Sequence, residues 1–208
     1  MYVLPISYFG PVSYYATLFG ADSVVIEACE HYVKQTLRNR CLIATHTGAQ
    51  TLSINVQKGA QPKIPIREVQ LSDHGNWMHQ HLYSLATYYG NSPFYEFYID
   101  EIRDVMMHGH DGTLFGLDEA LRRKMCELIG FEANVTYSHE WMGGCDFPTL
   151  ADGDAVPYYQ VARDEGRRPF QSDMSIVDLL FTMGPESILV LRQQAERMML
   201  HRHDKQNL

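Results

Sequence analysis

The chain has 208 residues, 45% apolar and 20% charged, with a formal net charge of −8, which describes an ordinary globular protein with ample length for a proper core. The acidic balance argues against a nucleic-acid binder, and no run approaches the roughly 18 apolar residues of a membrane helix. Four scattered cysteines form no CxxC pair, so a zinc ribbon or thioredoxin-type site is not expected and reduced thiols are the default. The first residues, "MYVLPISYFGPVSYY", lack a basic start and a clean apolar core, so no signal peptide is expected and the expected location is cytoplasmic.

Taken in chain order, "YVLPISYF" reads as a strand. "PVSYYATLFG" reads as a short helix closed by Gly20, and "SVVIEAC" as a strand covered on both faces. Strand, helix, strand is a βαβ unit, expected to be parallel and right-handed. The segment "HYVKQTLRNRC", His31 to Cys41, then packs Lys34, Arg38 and Arg40 between apolar flanks. "CLIATHTGAQTLSINV" alternates apolar and polar residues around a "THTG" turn and reads as a hairpin. "QKGAQPKIP" reads as a loop and "IREVQLS" as another strand.

From residue 73 the period changes to that of helices. "DHGNWMHQHLYSLATYYG" places Trp77, His81, Leu85 and Tyr88 on one stripe. "NSPFYEFYIDEIRDVMMHG" has Ser92 as its expected N-cap with Pro93 at the first helical position. "TLFGLDEALRRKMCELIG" places Leu114, Leu117, Leu121, Met125 and Leu128 in register. "FEANVTYS" returns as a strand, and a long irregular connection follows. Two helices end the chain, the first with Ser172 as its expected N-cap, and "HRHDKQNL" reads as a frayed end. The expected architecture is a single α/β domain over residues 1–208. Its mixed sheet begins with the βαβ unit, a helical segment covers about 73–130, and C-terminal helices close one side.

In a βαβ unit the ligand site lies beyond the carboxyl ends of the strands. Those ends carry Ser7, Tyr8, Glu27, Glu30 and His31, and the basic segment leaves from the same rim. If "LRNRCLI" is extended, Arg38 and Arg40 share a face. Two guanidiniums side by side repel unless an anion or the chain's own Glu27 and Glu30 lies between them. A small-anion site and an internal Arg–Glu network are both open readings. Cys41, inward-facing, reads as inert rather than as a nucleophile. His79 and His81 at i and i+2 point apart on a helix, so one metal cannot take both, and His108 to Gly112 reads as a helix end; no metal is expected. His139 with Glu140 is a weak base-and-orienter candidate. Arg167 and Arg168 precede a helix start whose local cap competes with anion binding. Most of the 13 tyrosines fall at helical spacing and read as core.

The run from "YFGPVSYY" through "LRNRCLIATHTG" and "SINVQKG", followed by "YYGNSPFYEFY" and later "MSIVDLLFTMGPES", resembles the WbqC-like family. The chain departs from many relatives in lacking a Gln near the first strand followed by "YFP-W". The resemblance implies a cytoplasmic bacterial biosynthetic protein associated with surface-polysaccharide gene clusters, one that handles a modified sugar or an activated acyl or amino group; with the polar cluster at the rim, the expected function is a group-transfer enzyme, a transferase, acting on an anionic activated substrate. Carried over by position, the best-matched residues are Gln35, Arg38, Asn39 and Arg40, then Trp77 and His81, then Tyr88 and Pro93. Combined with the residue reading, the expected substrate-binding set is Glu27, Lys34, Gln35, Arg38, Asn39, Arg40 and Trp77, with His31 and His81 moving protons. No cofactor is identified; the expected partners are a small anionic substrate and a second copy of the chain, with no nucleic acid or membrane insertion. The alternative is a non-catalytic binding or scaffold protein, with a structural Arg–Glu network and an aromatic patch near Tyr95 and Tyr98.

Overall fold

The structure is a computed structural model and describes residues 1–57, 63–150, 153–161 and 169–206, with side chains through Leu200. The βαβ unit forms as expected: β1 (Tyr2–Leu4), α1 (Val12–Gly20) and β2 (Val24–Ile26), with the strands parallel and Tyr2 opposite Val24. The returning strand β5 (Val135–Tyr137) adds parallel to the far edge of β2, giving the order β1-β2-β5. Val24 and Ile26 of the central strand are buried, as an apolar run in a covered parallel sheet requires. The hairpin β3 (Arg40–Thr45) and β4 (Gly48–Ser53) is antiparallel and forms its own two-stranded sheet. Parallel and antiparallel strands therefore occupy separate sheets.

The helical segment comprises α2 (Trp77–Tyr89), α3 (Tyr95–His108) and α4 (Leu114–Ile129). Its apolar stripes face inward: Trp77, His81 and Leu85 on α2, closed by Tyr89 rather than the expected Tyr88, and Leu114, Leu117, Leu121 and Met125 on α4, closed by Ile129 rather than the half-buried Leu128. The chain closes with α5 (Ile176–Met183) and α6 (Ser187–Gln206). α6 lies across α1 at close range: a Cβ on Gly20 would fall 2.8 Å from the Ala195 Cβ. The C-terminal residues expected to fray continue α6 to Gln206.

Three local expectations are corrected. "IREVQLS" begins as a 3₁₀ turn, Ile66–Glu68, and its remainder makes only isolated bridges, Val56 with Leu71 and Gln70 with Thr113. Ile66 and Val69 are buried while Arg67 and Glu68 are exposed, a period of three that fits a 3₁₀ turn rather than a strand. Ser92 does not cap α3; its hydroxyl donates to the Tyr89 carbonyl at the end of α2, and α3 starts at Tyr95. Ser175 rather than Ser172 caps α5, its hydroxyl accepting from the Val177 N–H.

Two buried carboxyls in the helical layer contrast sharply. Asp178 accepts hydrogen bonds from the Tyr89 hydroxyl (2.8 Å), the Tyr158 hydroxyl (2.6 Å) and the Gln160 amide (2.8 Å), and the Tyr89 oxygen in turn accepts from the Ala44 N–H of β3. Asp118 on α4 is equally buried, yet neither of its oxygens has a hydrogen-bond partner. Burial pushes its carboxyl well above the usual range, and the charge of Glu119 adds to the rise. Folding therefore favours the protonated acid. The stability it allows is intact below the unfolded pKa of about 4 and declines as pH rises from there towards the folded value.

Asp118→Leu is expected to stabilise the protein at pH 7 by about 1–3 kcal/mol and to flatten its stability between pH 4 and 8, because it removes an unsatisfied buried acid. Asp178→Leu should lose about 3 kcal/mol or more, since it orphans two hydroxyls and an amide. Urea melts of both variants across that pH range check the pair.

Candidate ligand site at the strand rim

The carboxyl ends of the parallel strands are closed by a chain of acids and their donors. Glu27 follows β2 directly and is fully buried. Its Oε1 accepts from the Ser138 hydroxyl (2.6 Å) and the Cys29 N–H (2.8 Å), and its Oε2 from the Met142 N–H (2.8 Å). Burial alone would raise this carboxyl; the hydrogen bonds from Ser138, Met142 and Cys29 outweigh it and hold the group below the usual carboxylate range. The residue expected to bind substrate thus anchors the 138–142 segment.

Glu30 takes the first arginine of the basic segment. Arg38 Nε lies 2.7 Å from Glu30 Oε1 and Nη2 2.5 Å from Oε2, a bidentate pair with both side chains buried. Phe147 covers the guanidinium at 5.3 Å, and Cys145 Sγ lies 3.6 Å from Glu30 Oε2 and 3.8 Å from Arg38 Nη2. Burial and the Glu30 charge push the Cys145 thiol up to about 12, with Arg38 opposing, so it is no nucleophile at neutral pH.

The second arginine is placed differently. "LRNRCLI" is not extended throughout: residues 36–39 form a turn, with the Asn39 N–H donating to the Thr36 carbonyl, and β3 begins at Arg40. Arg38 and Arg40 therefore do not share a strand face. Arg40 is half-buried, makes no ion pair with a described residue, and its Nε is buried without a hydrogen-bond partner. Next to it, Asn39 donates its amide to the Ile54 carbonyl and leaves its Oδ1 buried and unpartnered. Tyr32 lies within the field of Arg40: burial raises its phenol and the Arg40 charge opposes this. Arg40 and Tyr32 thus lie close together at this point of the rim, with Asn39 Oδ1 buried one residue before Arg40.

The remaining candidates are dispersed. Lys34 and Gln35 are exposed in the turn, Gln35 with a left-handed φ of 61°. His31 is exposed and bridges Pro65 through its backbone. Trp77 is buried, donates its indole N–H to the Ser72 carbonyl at 2.8 Å, and packs edge-on against Tyr8 and His81. His81 is also buried, with Nδ1 2.8 Å from the Tyr8 hydroxyl and the Ser53 backbone as its other partner. Burial lowers its pKa to about 4, the Ser53 hydrogen bond opposing, so the ring is neutral at pH 7 and accepts from Tyr8.

Cys41 is buried, and desolvation raises its thiol far above the usual range. It lines a cavity of about 200 Å³ with Phe9, Leu42 and Asp173. Phe9 and Asp173 both hold left-handed backbone, with φ of 41° and 54°, and are braced by the Ser175 hydroxyl on the Phe9 carbonyl and by Ser13 on Asp173. His79, His139 and Glu140 are exposed, and no group of acids, histidines and cysteines among the described residues has metal-site geometry. Arg167 and Arg168 lie outside the described residues. The sequence reading missed Tyr32 and Ser138. Tyr32 stands one residue after His31, and Ser138 follows β5 at the same level as Glu27 follows β2, a position that strand pairing alone identifies.

Comparison with curated proteins and with solved structures finds no match. The WbqC-like protein family matches residues 7–146, which contain the acid-closed rim, the hairpin and α2 to α4. The chain belongs to the WbqC-like protein family.

Proposed function

We propose that the chain is a group-transfer enzyme of bacterial surface-polysaccharide or related metabolite biosynthesis, one domain over its full length, that holds an anionic activated substrate at Arg40. The observation that carries this reading is the contrast between two arginines two residues apart. Arg38 is neutralised by Glu30, whereas Arg40 is half-buried without a carboxylate or a hydrogen-bond partner for its Nε among the described residues. A guanidinium left so is costly unless an anion completes it. Asn39 Oδ1 and the Tyr32 hydroxyl supply neutral hydrogen-bonding groups beside it, and His31 is the exposed histidine of the same segment, the candidate for proton transfer. His81, neutral and engaged at both nitrogens, positions Tyr8 in this reading. The sequence resemblance supplies the biosynthetic setting, and cytoplasmic location accompanies it.

Arg40→Ala should change the ligand-free melting temperature little, by less than about 1 kcal/mol of stability. It should also reduce the upward shift given by a nucleotide at constant ionic strength. Arg38→Ala strands the buried Glu30 and should cost roughly 3–5 kcal/mol, a fall on the order of 10 °C. A nucleotide shift in Arg40→Ala as large as in wild type sinks the site assignment.

A scaffold role is the second reading, favoured by the structural Arg38–Glu30 pair and by exposed aromatics. Tyr95 is buried and Tyr98 half-buried, and the exposed aromatics of α2 and α3 are instead Tyr83 (74% exposed) and Phe97 (73% exposed). If this face joins two copies, light scattering should give a dimer mass that Phe97→Ser with Tyr83→Ser reduces to a monomer, with catalysis absent throughout.

A further inference from the structure

A second groove, with a volume of about 670 Å³, opens between the 3₁₀ turn at Ile66–Glu68, the start of α4 and the end of β5. It contains neither Arg40 nor Asn39 nor Tyr32. Two arginines line it. Arg67 lies over the Phe115 ring with Cζ 4.6 Å from its centroid, and 5.7 Å from that of Tyr137. Stacking holds a guanidinium by its face and leaves its N–H edge free. Arg67 makes no ion pair or hydrogen bond with a described residue.

Arg123 approaches the same tyrosine from its other end. Its Nη2 donates to the Tyr137 hydroxyl at 2.7 Å, and that hydroxyl donates to Glu119 Oε2 at 2.7 Å. Glu119 is in turn neutralised by the buried Arg122, whose Nη2 is 2.9 Å away. The relay orients Arg123 while leaving Glu119 no charge to spare for it.

The other polar groups of the groove are committed. His108 pairs with Asp104, and the two ring nitrogens of His110 meet the Met106 carbonyl and the Gly112 N–H. Asp111 accepts from both the N–H and the hydroxyl of Thr113. It also lies so close to the first turn of α4 that a Cβ on Gly116 would fall 2.1 Å from its Oδ1. The helix start is thus already occupied by the protein's own carboxylate, and the free donors facing the groove are the two guanidiniums.

We infer that this groove is a second binding site, taking the phosphate of a phosphorylated small molecule between Arg67 and Arg123. Two cations on one tyrosine, with the groove's acids Glu119 and Asp111 engaged by Arg122 and Thr113, are complementary to a doubly charged oxyanion, and planar N–H edges suit its oxygens. The volume lies within the range of small-molecule sites, so the phosphate need not be the whole ligand; Phe115 and Tyr137, which line the groove, offer apolar wall to the rest.

The test uses inorganic phosphate and pyrophosphate titrated at constant ionic strength, followed by calorimetry and by the melting temperature, on the intact chain. Wild type and Arg40→Ala should bind alike at this site. Arg67→Ala with Arg123→Ala should weaken binding at least roughly tenfold, while Arg67→Lys should recover only part of it. Both arginines are exposed, so the double variant should keep the wild-type far-ultraviolet dichroism and ligand-free melting temperature. If the double variant fails to fold, the single Arg67→Ala, which touches no hydrogen bond, carries the same expectation. No binding by wild type, undiminished binding by the variants, or loss of all binding in Arg40→Ala would each overturn the inference, the last by assigning the response to the rim instead.

Discussion

The arrangement of the rim depends on one buried carboxylate. Glu27 stands where β2 ends, out of contact with water, and its three donors come from Cys29, Ser138 and Met142. Those bonds do two things at once. They turn the chain after β2 so that Glu30 faces inward, and they bring the segment after β5 back across the sheet end, carrying Cys145 and Phe147 onto the Arg38–Glu30 pair. An apolar residue at 27 would leave two backbone N–H groups and a hydroxyl unsatisfied, and the cover over Arg38 would lose its hinge. Arg40 is left alone because Glu27 and Glu30, the acids nearest to it in sequence, are already taken.

That division of labour explains what could be read from the chain and what could not. The clustering of Arg38, Asn39 and Arg40 beside two glutamates was visible as a pattern, and both an anion site and an internal network fitted it. The pattern could not say that each arginine follows a different course, because that turns on whether the chain is extended at residues 37–39. A single turn there puts the two side chains in different surroundings. His81 shows the same limit from the other side. Its place on the apolar stripe was legible, but its neutrality comes from Tyr8 and Ser53, partners 73 and 28 residues distant in sequence.

The elements themselves were legible wherever apolar periodicity ran unbroken, as in α2, α4 and the hairpin. They were misread where a short-range side-chain bond competes with the pattern. Ser92 and Ser172 both resemble caps in sequence, yet Ser92 spends its hydroxyl on the preceding helix and Ser175 takes the capping position before α5. The two sheets could not be distinguished from one mixed sheet either, since strand pairing across 110 residues has no local signature.

The Asp178 network bears on how this family's members can change. The family match ends at residue 146, but the hydroxyl of Tyr89, well inside it, is held by Asp178 of α5, and the strained Phe9 is braced by Ser175. Gly20 of α1 is shaped to the surface of α6. The recognisable sequence unit and the mechanical unit therefore have different edges. In this chain a substitution after residue 146 that removes the acceptor at Tyr89 or the brace at Phe9 disturbs the matched part as well, because those partners lie inside it.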